Sequence, residues 1–318
     1  MTDVFDTVIV GAGISGLVAG SRIQAKGNKV VILEKSRSVG GRIATRRDDL
    51  STYDHGAQFY KIAIHSNTAI DDFWTKKNIT QTWFTENAHH FKSSAGGLTH
   101  LAKSIAESLD IIFNEKLIEI KNPDEFQKCY QLICESGKLI LAKKIILSCP
   151  LPQTLDILKK SNIQFPNDLE KIAYAKALVG LFELQSTEEN LKNFKYQSEI
   201  NSAIFSLCNQ LSKNVSKTLA FTCTMTPDWS EIHFDQTEES ILGKIQNEFS
   251  HFIKSIDEHA IIVKSQLKKW RFSHPNQIYQ SLHLDLMDNG EILLIGDAFG
   301  GASIAGAIHS AESISISD

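Results

Sequence analysis

The stretch that most restricts the fold runs from Thr7 to Glu34. Thr7-Val8-Ile9-Val10 are apolar or β-branched, the pattern of a buried parallel strand. They lead directly into Gly11-x-Gly13-x-x-Gly16, with a helix expected to begin near Ile14. Gly11 permits the tight turn, Gly13 lets a pyrophosphate approach the backbone, and Gly16 lets the helix lie close on the strand. Amides at Ile14, Ser15 and Gly16, with the positive end of the helix dipole, would face that phosphate. After a Gly27-Asn28 turn, Lys29 to Leu33 forms a second strand and delivers Glu34, whose carboxylate suits ribose hydroxyls. The glycines alone are a weak signal. With the strand before them, the helix after them and an acid about 20 residues on, they define a dinucleotide site. Glu34 disfavours NADP, whose 2′-phosphate it would repel.

A chain of 318 residues has room for two domains. A net charge of −4 supplies no basic field, so neither nucleic acid nor an anionic membrane is an expected partner. The apolar run from Val8 to Gly20 lacks a signal peptide's basic flank, because Asp3 and Asp6 stand there. No stretch approaches the roughly 18 uninterrupted apolar residues of a membrane span. The five cysteines are scattered, without a Cys-x-x-Cys pair, so disulfides and a thiol metal site are not expected and a cytoplasmic location is.

Beyond Glu34 and Lys35, Gly40-Gly41-Arg42 can pass a loop beneath a phosphate, with Arg42 offering a fork of donors. A strand-like segment, Tyr53-Asp54-His55-Gly56-Ala57-Gln58-Phe59-Tyr60, follows. Together these motifs resemble the FAD-binding N-terminus of flavin-containing amine oxidases, and the Gly-Ala-Gln-aromatic segment resembles the renalase-like branch. The resemblance implies FAD across the first helix, Glu34 on the adenosine ribose, and Gln58-Phe59 beside the isoalloxazine ring.

The C-terminus resembles the second FAD motif of that family. Glu291 to Ala298 reads as a strand ending at Asp297, and Gly300-Gly301-Ala302-Ser303 leads into a helix near Ile304. By resemblance Asp297 accepts from a ribityl hydroxyl, and Ser303 and Ile304 bring the helix start to the N1/C2 edge of the ring. Gly306 and Ala307 look small enough for close ligand approach. The chain departs from the family in carrying Ile304-Ala305-Gly306-Ala307 where an acid often stands, and its last helix is expected to stop at Asp318 with no membrane-anchoring extension. No cysteine follows Cys223, so the FAD is expected to be non-covalent.

Between these ends lie less legible stretches. Residues 61–93 carry Phe73, Trp74, Trp83, Phe84 and Phe91. His89 and His90 are adjacent, on opposite faces of an extended segment, so they make a surface pair and no metal site. A helix is expected over 98–109, then strands at 111–113, 116–120, 130–134 and 139–147, resembling a flavoprotein meander. Cys149, beyond the last strand, is read as structural. Helices around 154–160 and 238–255 alternate with strands at 177–184, 203–207, 218–224 and 260–267, suggesting an antiparallel sheet covered on one side. Lys192, Lys195, Lys213 and Lys217 read as solvated surface. In Lys268 to Pro275, Trp270 and Phe272 share one strand face, and Lys269 and Arg271 share the other. Trp270 is either an aromatic wall or core, and His274 a pocket base or a turn residue. With Lys269 they are the candidate catalytic, pocket-lining set.

The expected architecture is α/β: a Rossmann-like FAD-binding domain of the two-dinucleotide flavoprotein type (1–62, 94–150 and 276–318) and an α+β substrate domain on an antiparallel sheet (63–93 and 151–275). The resemblance implies a renalase-like FAD oxidase that takes a hydride from 2- or 6-dihydro isomers of NAD(P)H, with O2 reduced to H2O2. The small-molecule substrate is thus a dihydronicotinamide dinucleotide or, alternatively, an amine. A desaturase of the same fold or a non-catalytic flavin-binding redox sensor are the other readings.

Overall fold

Hydrophobic strand runs and their glycine-bounded turns assemble into a computed structural model that describes residues 4–66, 68–123 and 128–316. The chain forms two units, one from residues 1–41, 102–173 and 274–318, the other from 42–101 and 174–273.

The first unit is built on an eight-stranded sheet. Val4–Val10 runs between Val30–Glu34 and Leu139–Leu147, parallel to both, with Val8 opposite Val31 and Ile145. Ile111–Phe113 adds beside Val30–Glu34 in the same direction, and Ile292–Leu294 beside Leu139–Leu147. Val30 to Glu34 are buried throughout, which is why the strand is almost wholly apolar and β-branched. Leu139–Leu147 serves two sheets' worth of pairing. Its first half pairs antiparallel with Tyr130–Cys134, which in turn pairs with Leu117–Lys121. From Leu141 onward it pairs parallel with Val4–Val10, and from Ile145 onward also with Ile292–Leu294.

The segment 151–173 belongs to this unit, although the sequence reading placed it in the substrate domain. Ser161, which follows the helix Leu151–Lys160, explains why: its hydroxyl accepts from Ile120 N at 2.7 Å and donates to Ile157 O. The final helix, Ile304–Glu312, stops short of Asp318, which lies outside the described residues. No described helix is long and apolar enough to cross a membrane.

In the second unit, five strands pair in the order Tyr196–Ser198, Ile204–Asn209, Ala220–Met225, Tyr174–Gln185, Ile261–Pro275. The helix Glu238–Lys254 buries Ile241, Ile245, Phe249 and Ile253, one residue per turn, against this sheet's core. Phe249 stacks on Phe182 at 4.2 Å. Thr237 caps that helix by accepting from Ser240 N. A three-stranded sheet (Tyr60–Ala63, His89–Ser93, Gln81–Glu86) and the hairpin Thr45–Arg47/Thr52–Asp54 complete the unit. Residues 42–62 and 94–101, expected in the nucleotide domain, belong here. Asp54 draws them in, accepting from Leu98 N, Thr45 Oγ1 and Lys213 Nζ through its side chain and from Thr222 Oγ1 through its carbonyl.

Candidate active site

Each glycine of the first turn has a different structural duty. Gly11 sits at φ +105°, a conformation that disfavours any side chain. A Cβ on Gly16 would run into the carbonyl oxygen of Gly11, so only glycine lets Ile14–Ala25 approach the strand this closely. Gly13 is unlike both. Among the described residues, chain neighbours aside, no atom lies within 4 Å of where its Cβ would stand, and it caps the helix without any side-chain hydrogen bond. No side chain caps the first-turn amides at Ile14, Ser15 and Gly16, as an anion cradle requires.

Glu34 is buried. Its Oε2 accepts from Ala12 N at 2.8 Å and its Oε1 from Ser36 N at 2.7 Å. Each carboxylate oxygen keeps a second lone pair for a ribose hydroxyl. Gly40 N donates to Ala12 O at 2.9 Å, and the place of a Gly41 Cβ lies 3.8 Å from Gly13 Cα, so the double-glycine loop runs along the cradle. Lys35 is directed away, its Nζ donating to Gln153 Oε1, beside an open groove of about 540 Å³.

At the sheet's carboxyl edge, Gly296 adopts φ +132°, and a Cβ there would lie 3.8 Å from Ser15 Oγ. Asp297 follows, buried, at the start of the short helix Asp297–Gly300. Ser303 caps the last helix through Gly306 N at 3.0 Å, and Ile304 is buried as its first residue. A Cβ on Gly306 would strike the carbonyl oxygen of Gly301, so its smallness serves the loop–helix contact. The uncapped helix start, the space at Gly13 and the buried Glu34 carboxylate fit FAD, which Gly11, Gly13, Ile14, Ser15, Gly16, Glu34 and Gly41 would hold.

In the second unit, a Cβ on Gly56 would collide with the carbonyl oxygen of Arg42, which also accepts from Ala57 N. Arg42 Nη1 donates to Ser273 O at 3.3 Å, and its guanidinium lies over the Tyr174 ring. Gln58, expected beside the flavin, spends its amide internally. Nε2 donates to the carbonyls of Asp54 and Gly56, and Oε1 accepts from Gln210 Nε2 at 2.9 Å. Phe59 packs edge-on against Phe91 and Tyr196.

Trp270 is half-buried. Its Nε1 donates to His55 O at 2.7 Å, and its ring stacks on the His55 imidazole at 5.4 Å. Lys269 lies on the opposite strand face, donating to Phe234 O with Arg271 over the same Phe234 ring. It does not join Trp270. His274 is exposed, four residues further along the strand.

Sequence reasoning missed two residues. Lys213, read as solvated surface, is fully buried and pairs with Asp54 Oδ2 at 2.8 Å. Nothing in its polar surroundings of Gln210 to Lys217 signals this. His55 Nδ1 is buried without a hydrogen-bond partner among the described residues. Burial first, then the charge of Lys268, pushes the His55 imidazole down to about 4.

Fold and site define a Rossmann-like, FAD-dependent oxidoreductase. A model of NAD(P)-binding Rossmann-like domains matches residues 9–76, and one of flavin containing amine oxidoreductases matches residues 62–315. The chain belongs to the flavin-containing amine oxidoreductase family. A structure assigned as a protoporphyrinogen oxidase from Exiguobacterium sp. 255-15 superposes with a TM-score of 0.74 at 14% identity, covering 96% of this chain and 97% of that one. Wild-type putrescine oxidase bound to putrescine gives 0.68 at 13% identity, covering 98% of each. Among curated proteins, a 4,4'-diapophytoene desaturase of Staphylococcus haemolyticus is 48% identical over 48 residues, 15% of this chain and 10% of that protein. Its counterpart in Staphylococcus aureus is 44% identical over 48 residues. The match therefore spans about a tenth of the desaturases' length.

Proposed function

We propose that the protein is a renalase-like oxidase of dihydronicotinamide isomers. The observation that carries this reading is Trp270, held at its Nε1 by the His55 carbonyl and stacked on the His55 ring. Held along one edge, the half-buried indole leaves part of its apolar surface exposed, and a nicotinamide-sized ring can pack against that part. FAD held there would supply the hydride acceptor and the route of both electrons to O2, so that dihydronicotinamide, O2 and a proton would yield the nicotinamide cation and H2O2. The chain's own part is to bind and orient. Glu34 and the first-turn amides hold the adenosine side of the cofactor, and Trp270 orients the donor. His55 stays neutral at physiological pH and brings no extra positive charge to a ring that becomes cationic on oxidation.

The test is an anaerobic mixing experiment with the FAD-loaded protein. The 2- or 6-dihydro isomer of NAD(P)H should bleach the flavin within one turnover, and air should restore it with one H2O2 per donor. Bleaching by putrescine or another amine, or desaturation of a polyene with no response to the isomers, would replace this reading by the amine oxidase or desaturase one. Bound FAD that no donor bleaches would leave a redox sensor.

A further inference from the structure

We propose that Ser148 is a positioning residue for the cofactor's ribose. Through the Gly11–Ala12 peptide, its hydroxyl fixes the Glu34 carboxylate that the ribose hydroxyls would meet. The inference goes beyond the reaction proposed above and holds whichever donor reduces the flavin. All the residues involved lie in the first unit.

Ser148 follows the strand Leu139–Leu147, and its backbone continues the ladder by one residue, Ser148 N donating to Val10 O at 3.0 Å. That bond sets where the side chain goes. Ser148 is buried, and its Oγ lies 2.9 Å from Val10 O and 3.0 Å from Gly11 O, one hydroxyl proton shared between two carbonyls. The hydroxyl fills a notch that two glycines leave open. A Cβ on Gly11 would stand 3.0 Å from Ser148 Oγ, and one on Gly16 only 2.6 Å from it. Gly11 and Gly16 therefore make room for this hydroxyl as well as for the close approach of the helix.

The peptide that begins at the Gly11 carbonyl is held at its other end too. Ala12 N donates to Glu34 Oε2 at 2.8 Å, while Ser36 N donates to Oε1 at 2.7 Å. A peptide unit is planar, so its C=O and N–H turn together. Holding Gly11 O therefore holds the direction of Ala12 N–H, one of the two amides that orient the carboxylate. The need for such an anchor lies in Gly11 itself. At φ +105°, and with no Cβ to restrict it, this glycine offers little resistance to rotation of the peptide that follows. Without the Ser148 hydroxyl, Gly11 O loses that donor and the peptide can turn towards another. Ala12 N–H then leaves Glu34, and the carboxylate keeps Ser36 N alone of its two amides.

The experiment measures binding to the full-length protein. It takes the FAD dissociation constant, and the displacement of FAD by ADP and by 2′,3′-dideoxy-ADP, which lacks the ribose hydroxyls. The wild type should prefer ADP. Ser148→Ala should weaken FAD about tenfold, as expected for a misplaced hydrogen bond to a charged group, and should shrink the preference for ADP. Glu34→Gln should shrink the same preference. Ser148→Ala added to Glu34→Gln should cost little more, because the two residues act through one peptide. Melting temperature and circular dichroism report folding. Should Ser148→Ala not fold, Ser148→Cys, a much weaker donor, carries the same comparison. FAD affinity unchanged in the Ser148 variant, equal losses for ADP and its dideoxy analogue, or fully additive losses in the double variant overturn the proposal. A wild type that does not distinguish the two nucleotides overturns it as well. These readouts need no turnover. Failure of dihydronicotinamides to bleach the flavin sinks the proposed reaction and keeps the role of Ser148, and additive losses with intact bleaching do the reverse.

Discussion

Lys213 and Asp54 are both fully buried and 2.8 Å apart; Asp54 Oδ1 also accepts from Thr45 Oγ1 and Leu98 N, and Lys213 Nζ also donates to Gln210 Oε1. Removing one member strands a charge in an apolar interior, which typically costs about 3–5 kcal/mol, whereas removing both is far milder. Lys213→Met should therefore lower the urea midpoint steeply, and adding Asp54→Asn should recover much of the loss. Equal damage in the single and double variants would show that the pair is not coupled. His55 gives a second residue-scale expectation. Its folded value is about 4 against an ordinary 6.5. Between those values the unfolded chain holds more protons than the folded one. Stability thus rises with pH across that window and is lost as pH falls from 6.5 towards 4, by up to about 3 kcal/mol. The urea midpoint of the wild type should fall relative to that of His55→Phe as the pH drops from 6.5 towards 4. Parallel profiles would contradict this.

At the scale of elements, the first βαβ unit makes a contrast between two glycines that look alike in sequence. Gly16→Ala forces a Cβ onto the Gly11 carbonyl, a clash of backbone on backbone that should destabilise the apoprotein by roughly 1–3 kcal/mol. Gly13→Ala meets no described atom within 4 Å outside its chain neighbours, and its φ of −74° suits alanine. The apoprotein's melting temperature should stay put while FAD affinity falls about tenfold or more. A Gly13→Ala protein that keeps its flavin would remove the cradle from the cofactor site. The same distinction explains what could be read before the fold was known. Strands such as Ile111–Phe113, Tyr130–Cys134 and Leu139–Leu147 are bounded by turn residues and carry their own periodicity, so their limits were legible. The helix Pro227–His233 was not, because its exposed Ile232 and few buried positions write no amphipathic pattern. Nor was the burial of Lys213, since a lysine enters a core only when a distant carboxylate meets it, and sequence separation of 159 residues hides that partner. Nor are the partners of Gln58 legible, since its amide binds Gln210, 152 residues away, and the carbonyls of Asp54 and Gly56.

Over the whole molecule the chain passes between its two units at 41/42, 101/102, 173/174 and 273/274, so neither unit is a continuous segment. A sequence reading follows motifs along the chain and drew its boundaries where motifs changed. The fold drew them where hydrogen bonds from Asp54 and Ser161 lead. The cysteines show the same dependence on tertiary setting. Cys129, Cys134, Cys208 and Cys223 are buried and Cys149 is half-buried, its Sγ 3.2 Å from Thr154 Oγ1. Burial raises the Cys149 and Cys223 thiols, the Cys134 thiol to about 11 and the Cys208 thiol to about 12. A thioether to flavin needs a thiolate, and at neutral pH these four are held as thiols. Acid precipitation should therefore release all the yellow colour into the supernatant, with a 1:1 ratio of free FAD to protein. Under native conditions at pH 7.5 a thiol reagent should label the folded protein slowly, and in guanidinium it should label every cysteine at once. Colour retained in the pellet, or one thiol reacting rapidly in the native state, would mean that a cysteine is activated despite its burial.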